Sequence, residues 1–101
     1  MIVRIFETAV EPEDIDRGRR LFREQVKPVY EKFPGCRGIE LQVGLDEHSG
    51  DLVTVVTVSR WESMEAIEEA TQLPEYSGAL TEIKKLFQQT PIIRHFEVEE
   101  V

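Results

Sequence analysis

The segment Leu52–Arg60, LVTVVTVSR, constrains the fold more than any other, because it is dense in β-branched residues and apolar on both faces. Alternation puts Leu52, Val56 and Val58 on one side and Val53 and Val55 on the other. A strand that is hydrophobic on both faces needs cover on both. One layer of helices covers one side. In a chain of 101 residues the cheapest cover for the other is a second copy of the chain. That length suits a single domain, spanning residues 1–101, and a hydrophobic fraction of 41% suffices for one core.

The remaining pattern supplies the partners of that strand. Ile2–Val10 is β-rich and reads as a first strand. Ile15, Gly18, Phe22, Val26, Val29, Tyr30 and Phe33 then recur at three- and four-residue steps, which predicts a helix over about residues 13–33. Pro28 has no amide to donate and predicts a kink near its last turns, and Pro34-Gly35 stops it. Gly38–Asp46 alternates strictly, with Ile39, Leu41, Val43 and Leu45 on one face and Glu40 and Gln42 on the other. It is the second strand, joined by a hairpin through residues 46–51 to the third at 52–60. Ser63 is placed to cap a short helix over 64–71, and Pro74 opens another over 74–88. Ile92–Val98 is a fourth strand. The order β-α-β-β-α(α)-β is the ferredoxin-like α+β arrangement with an antiparallel sheet.

Twenty acidic residues against twelve basic ones give a formal charge of −8. That balance argues against nucleic acid and against an anionic membrane surface as partners. No apolar run approaches the roughly 20 residues that span a bilayer. The N-terminus opens a strand rather than a signal peptide, so a cytoplasmic protein is expected. Cys36 has no second cysteine to pair with, and no Cys/His cluster has zinc spacing. Phosphate-cradling glycine loops, nucleophile elbows and dinucleotide fingerprints are all missing from the sequence.

Three segments carry a family resemblance. They are Pro34-Gly35-Cys36-Arg37-Gly38 after the long helix, Trp61-Glu62-Ser63-Met64-Glu65-Ala66 after the third strand, and Thr71-Gln72-Leu73-Pro74-Glu75-Tyr76 between the short helices. Together they resemble the antibiotic biosynthesis monooxygenase domain of the dimeric α+β-barrel superfamily, over about residues 2–98. The resemblance implies a homodimer packed through the sheet faces and a pocket between helices and sheet in each subunit. It further implies either cofactor-independent monooxygenation of an aromatic, quinol-like or polyketide-like substrate, or non-catalytic binding of a small hydrophobic molecule. No cofactor is expected.

Trp61 matches the tryptophan that lines the pocket in such proteins; the structural alternative is an indole packing the end of the third strand with its N–H satisfied. In haem-degrading relatives an asparagine and a ligating histidine fall at about Phe6 and Leu80, neither of which can do that work. Haem degradation is therefore not expected, and both positions become hydrophobic pocket candidates. Histidines of quinol-oxidising relatives fall at Ala70 and Glu75. His95 remains as a general-base candidate, with its ordinary pKa near 6.5. Alternation puts it on one face with Ile93 and Glu97, opposite Arg94. His48, among acidic hairpin residues, is expected to be solvated. Tyr30 and Tyr76 lie on the buried helix stripes, where their hydroxyls reach a pocket or only its rim; Tyr76 is a second proton-acceptor candidate. Arg4 and Arg94 either anchor an anionic ligand or pair with an acid, with Glu7, Glu40 and Glu97 in range.

Overall fold

The computed structural model describes residues 1–46 and 49–101, and all of Ser49 except its side chain. The expectation for His48 lies outside the described residues. Four strands form one antiparallel sheet: β1 (Ile2–Val10), β2 (Cys36–Val43), β3 (Val53–Trp61) and β4 (Ile92–Glu97), in the spatial order β2-β3-β1-β4. The doubly apolar β3 is therefore a central strand, as its composition requires.

Between β1 and β2 the chain runs as α1 (Ile15–Leu21), a π-helical stretch Phe22–Val26 and α2 (Lys27–Tyr30). The predicted irregularity falls just ahead of Pro28. The Lys27 N–H reaches back five residues to the Phe22 carbonyl, a π-type turn before the residue that cannot donate. The helix ends at Tyr30, three residues short of the predicted stop, and Phe33 closes the turn by donating its N–H to the Tyr30 carbonyl. Gly35 follows with φ 84°, and a Cβ there would stand 2.6 Å from that of Ala66. Only glycine lets this joint pack against the helix after β3.

After β3 come α3 (Met64–Thr71), capped by the Ser63 hydroxyl on the Ala66 N–H, and α4 (Pro74–Leu80). The predicted long helix over 74–88 is instead α4 followed by a 3₁₀ turn at Ile83–Leu86. The chain then returns to β1, where the Gln88 N–H donates to the Ala9 carbonyl and the Thr8 hydroxyl to the Gln89 carbonyl.

The register assigns the two faces. Arg4, Phe6, Thr8 and Val10 of β1 stand level with Ser59, Thr57, Val55 and Val53 of β3 on the face that the helices cover. Ile39, Leu41 and Val43 of β2 and Ile93, His95 and Glu97 of β4 share it. Phe22, Val26, Tyr30, Phe33, Ile39, Trp61, Ile67 and Ala70 form the main core there. The opposite face carries Val3, Ile5 and Glu7 with Val56 and Val58, all only half-buried, and Ile92, Arg94 and Phe96 exposed on β4. Ala9 at its end is fully buried, but none of Val3, Ile5, Val56 and Val58 belongs to the cores formed by the described residues.

Candidate functional site

An aromatic cluster sits where α2 and α4 lie on the end of β3. Tyr30 is its hub, with ring centroids 5.6 Å from Phe33, 6.2 Å from Trp61 and 6.0 Å from Tyr76. Phe33 stacks on Trp61 at 6.2 Å. Trp61 is almost fully buried, and its indole N–H donates to the Ser59 hydroxyl at 2.8 Å. This is the structural alternative for Trp61, with a side-chain hydroxyl taking the indole proton.

Beside the cluster is a narrow apolar cavity of about 30 Å³ under the 3₁₀ turn. Phe6, Tyr30 and Leu80, all singled out in the sequence, line it together with Phe22, Val26 and Phe87. Phe6 and Phe87 face each other at 5.7 Å. Thr8 and Thr57 supply its few polar atoms. Both threonines escaped the sequence reading, although alternation puts them in phase with Phe6 and Val55. A second cavity of about 30 Å³ shares Leu41, Val55, Ile83 and Phe87 with the first and extends toward α1.

Two of the candidates stand elsewhere. Arg94 is level with Ile5 on the uncovered face, so the sheet separates it from Phe6, Tyr30 and Leu80. Odd and even positions of a strand face opposite ways, which puts Arg94 across the sheet from the cavity. His95 is on the covered side, level with Arg4, but β4 is an edge strand whose residues are all exposed.

Electrostatics distinguish the polar members. Burial, and then Tyr76, hold the Tyr30 hydroxyl far above the ordinary tyrosine range, with Arg4 pulling the other way. Tyr30 therefore stays protonated and acts as a hydrogen-bond donor rather than a base. Burial and the Arg4 charge push His95 below its ordinary value, leaving a neutral imidazole that can accept a proton. Burial raises the Cys36 thiol, which keeps it protonated and unreactive. The Arg4 guanidinium is 6% exposed and donates to the Tyr76 hydroxyl at 2.8 Å. Glu40, one of its candidate acids, pairs instead with Arg60 at 3.1 Å on the other face. Among the described residues no group of His, Cys, Asp and Glu is arranged to hold a metal ion, and no helix is long and apolar enough to cross a membrane.

Residues 1–82 match the Antibiotic biosynthesis monooxygenase family. The chain belongs to this family. Solved structures agree in fold. A candidate antibiotic biosynthesis monooxygenase from Bordetella bronchiseptica superposes with a TM-score of 0.78 at 17% identity, covering 98% of this chain and 97% of that one. One from Nitrosomonas europaea gives 0.77 at 10% identity, covering 97% and 98%. A variant of SnoaB, a cofactor-independent oxygenase from Streptomyces nogalater, gives 0.71 at 17% identity, covering 99% and 94%. Comparison with curated protein sequences gives no match. The family match covers β1 through α4, and therefore every element of the aromatic cluster; the 3₁₀ turn and β4, which carries His95, lie beyond it. At these identities the antibiotic biosynthesis monooxygenase structures establish architecture, and the chemistry rests on the residues present.

Proposed function

We propose that the protein is a cofactor-independent monooxygenase acting on an aromatic, quinol-like or polyketide-like substrate, working as a homodimer closed through the uncovered sheet face. The observation that carries this reading is the apolar, aromatic-bordered cavity lined by a protonated Tyr30, whose ring packs on the Tyr76 that Arg4 holds, with His95 level with Arg4 at the edge of the same sheet face. Apart from two threonine side chains and Tyr30, the cavity lining is hydrocarbon, which strips water from a substrate anion.

An anthrone-type substrate illustrates the balance. His95 takes a proton from the ring methylene, and the resulting carbanion passes an electron to O₂. The radical pair combines to a peroxide anion, which takes the proton back from His95 as a hydroperoxide and then loses water to leave a ketone. One oxygen atom enters the product and the other leaves as water, and the substrate supplies every electron. Tyr76 and Tyr30 hold the substrate oxygens, and Trp61 supports Tyr30 from behind. A cavity of about 30 Å³ holds O₂ but not three fused rings, which need roughly 300 Å³ or more. Binding therefore lifts Leu80, Ile83 and Phe87 from the sheet.

Oxygen uptake with a panel of quinols and anthrone-type phenols tests the reading. Uptake above that of heat-denatured protein is expected, with kcat falling about 100-fold or more in His95→Ala. Rates equal to the denatured control overturn it. The same apolar lining favours a second reading, a carrier of small hydrophobic molecules, for which bound ligand returns unchanged after exposure to oxygen.

A further inference from the structure

Arg4 is a buried cation with no carboxylate paired to it among the described residues. Its Nε and Nη1 atoms are buried with no hydrogen-bond partner among the described residues. Only Nη2 has a hydrogen-bond partner, the neutral Tyr76 hydroxyl, and the guanidinium lies 5.6 Å from the centroid of that same ring. Its neighbours across the sheet are Ser59, whose oxygen already accepts from Trp61, and the neutral His95. Glu97 shares the face by register but forms no ion pair with Arg4. Arg19–Asp16, Lys27–Glu31, Arg37–Glu62, Arg60–Glu40 and Lys85–Glu82 all pair at the surface. Among the described residues no carboxylate forms an ion pair with this buried arginine. An unpaired buried charge is expensive, and an arriving anion recovers that cost as affinity.

Position gives the shape of the ligand. Arg4 is two residues from Phe6 on the same face of β1, a separation of about 7 Å. Phe6 lines the apolar cavity and so does Tyr30, which packs on the Tyr76 that Arg4 holds. An apolar chamber thus lies one ring-length from a cation with free N–H groups. We propose that Arg4 anchors an anionic group on the ligand, so that the cleft selects aromatic acids over neutral aromatics of the same shape. This inference rests on the proposed function for the location of the cleft and adds to it the charge of what binds there.

Calorimetric titration of the intact protein with 2-naphthoate, 2-naphthamide and 2-naphthol tests it. Naphthoate is expected to bind about tenfold or more tighter than the isosteric amide, the effect of one charge-assisted hydrogen bond. Arg4→Gln should abolish the preference, and Arg4→Lys should restore part of it. Naphthol that tightens on ionisation extends the site to phenolates, and naphthol that does not restricts it to carboxylates. Equal affinity for naphthoate and naphthamide overturns the proposal, as does a preference that survives in Arg4→Gln. Arg4→Gln is expected to unfold at the same or higher urea concentration than the native protein, since it removes an uncompensated charge. A large drop in that midpoint, or loss of the dimer in place of the preference, would assign the guanidinium a structural partner and overturn the proposal. Oxygen uptake is a separate readout: an inert protein that keeps the anion preference fails as an oxygenase only, and a working oxygenase indifferent to charge fails here only.

Discussion

The two faces of the sheet are built from the same strands and obey opposite rules. On the covered face apolar residues share space with Arg4, Thr8, Thr57 and Ser59, and the large side chains Trp61 and Thr8 are almost completely buried. On the other face Val3, Ile5, Val56 and Val58 form an apolar stripe between Glu7 and Arg60, only half-buried and with its β4 margin exposed. The four apolar side chains at the centre of this face thus stay half-buried, while those of the covered face reach the core. A face needs polar residues inside only where they do something, and a face that is apolar without cover is shaped for another surface. The first is what the proposed pocket requires and the second is what the proposed homodimer requires.

The sharpest test of the contrast removes the anchor of the covered face. Trp61→Ala deletes a side chain 1% exposed, frees the Ser59 hydroxyl and opens the aromatic cluster. A loss of about 3–5 kcal/mol in urea unfolding is expected. A loss below about 1 kcal/mol would mean that the cluster collapses without it and that Trp61 is not the wall of the site.

The uncovered face responds differently. Val58→Thr keeps shape and β-propensity but places a hydroxyl in the half-buried stripe. Once covered by a second subunit, each hydroxyl costs about 1–3 kcal/mol, and a symmetric dimer pays twice, weakening association at least about 30-fold. Sedimentation equilibrium should show the dimer dissociating while unfolding of the separate subunit hardly changes. An unaltered dimer would place the interface elsewhere and leave the apolar stripe unexplained.

Alternation and helical spacing made most of this architecture legible. The four strands, the Ser63 cap and the irregularity before Pro28 are local consequences of residue type, and each lies within a few residues of its expected place. The split of the predicted helix 74–88 was not legible. Its apolar stripe continues through Leu80, Ile83, Leu86 and Phe87, and only packing onto β1, through Gln88 and Gln89, bends it into a 3₁₀ turn. In the site, Phe6, Tyr30 and Leu80 meet because alternation and stripe position survive folding. Arg94 did not join them, since alternation names the residues of a face but not which face the helices choose. The same ambiguity left Arg4 and Arg94 equivalent in the sequence. The helices choose the side of Arg4, and that choice separates a buried guanidinium from an exposed one.

The smallest effect probes the boundary between the faces. His95 belongs by register to the covered face, but it sits on the uncovered edge strand, level with Arg4. Burial and then the Arg4 charge lower its pKa. The unfolded chain, with an ordinary histidine, takes up its proton at a higher pH than the folded one. This group's contribution to stability is therefore complete above the unfolded value near 6.5, and it is lost as the pH falls through the folded one. Because His95 is largely exposed, the change in stability is small and the titration itself is the better measurement. An NMR pH titration should place His95 below the ordinary value in the native protein and move it upward in Arg4→Gln, which removes the second of the two causes. An identical titration in both proteins would show that the Arg4 charge is screened before it reaches β4. The covered face would then end electrostatically at β1, and His95 would lose the environment that keeps it neutral as a proton acceptor.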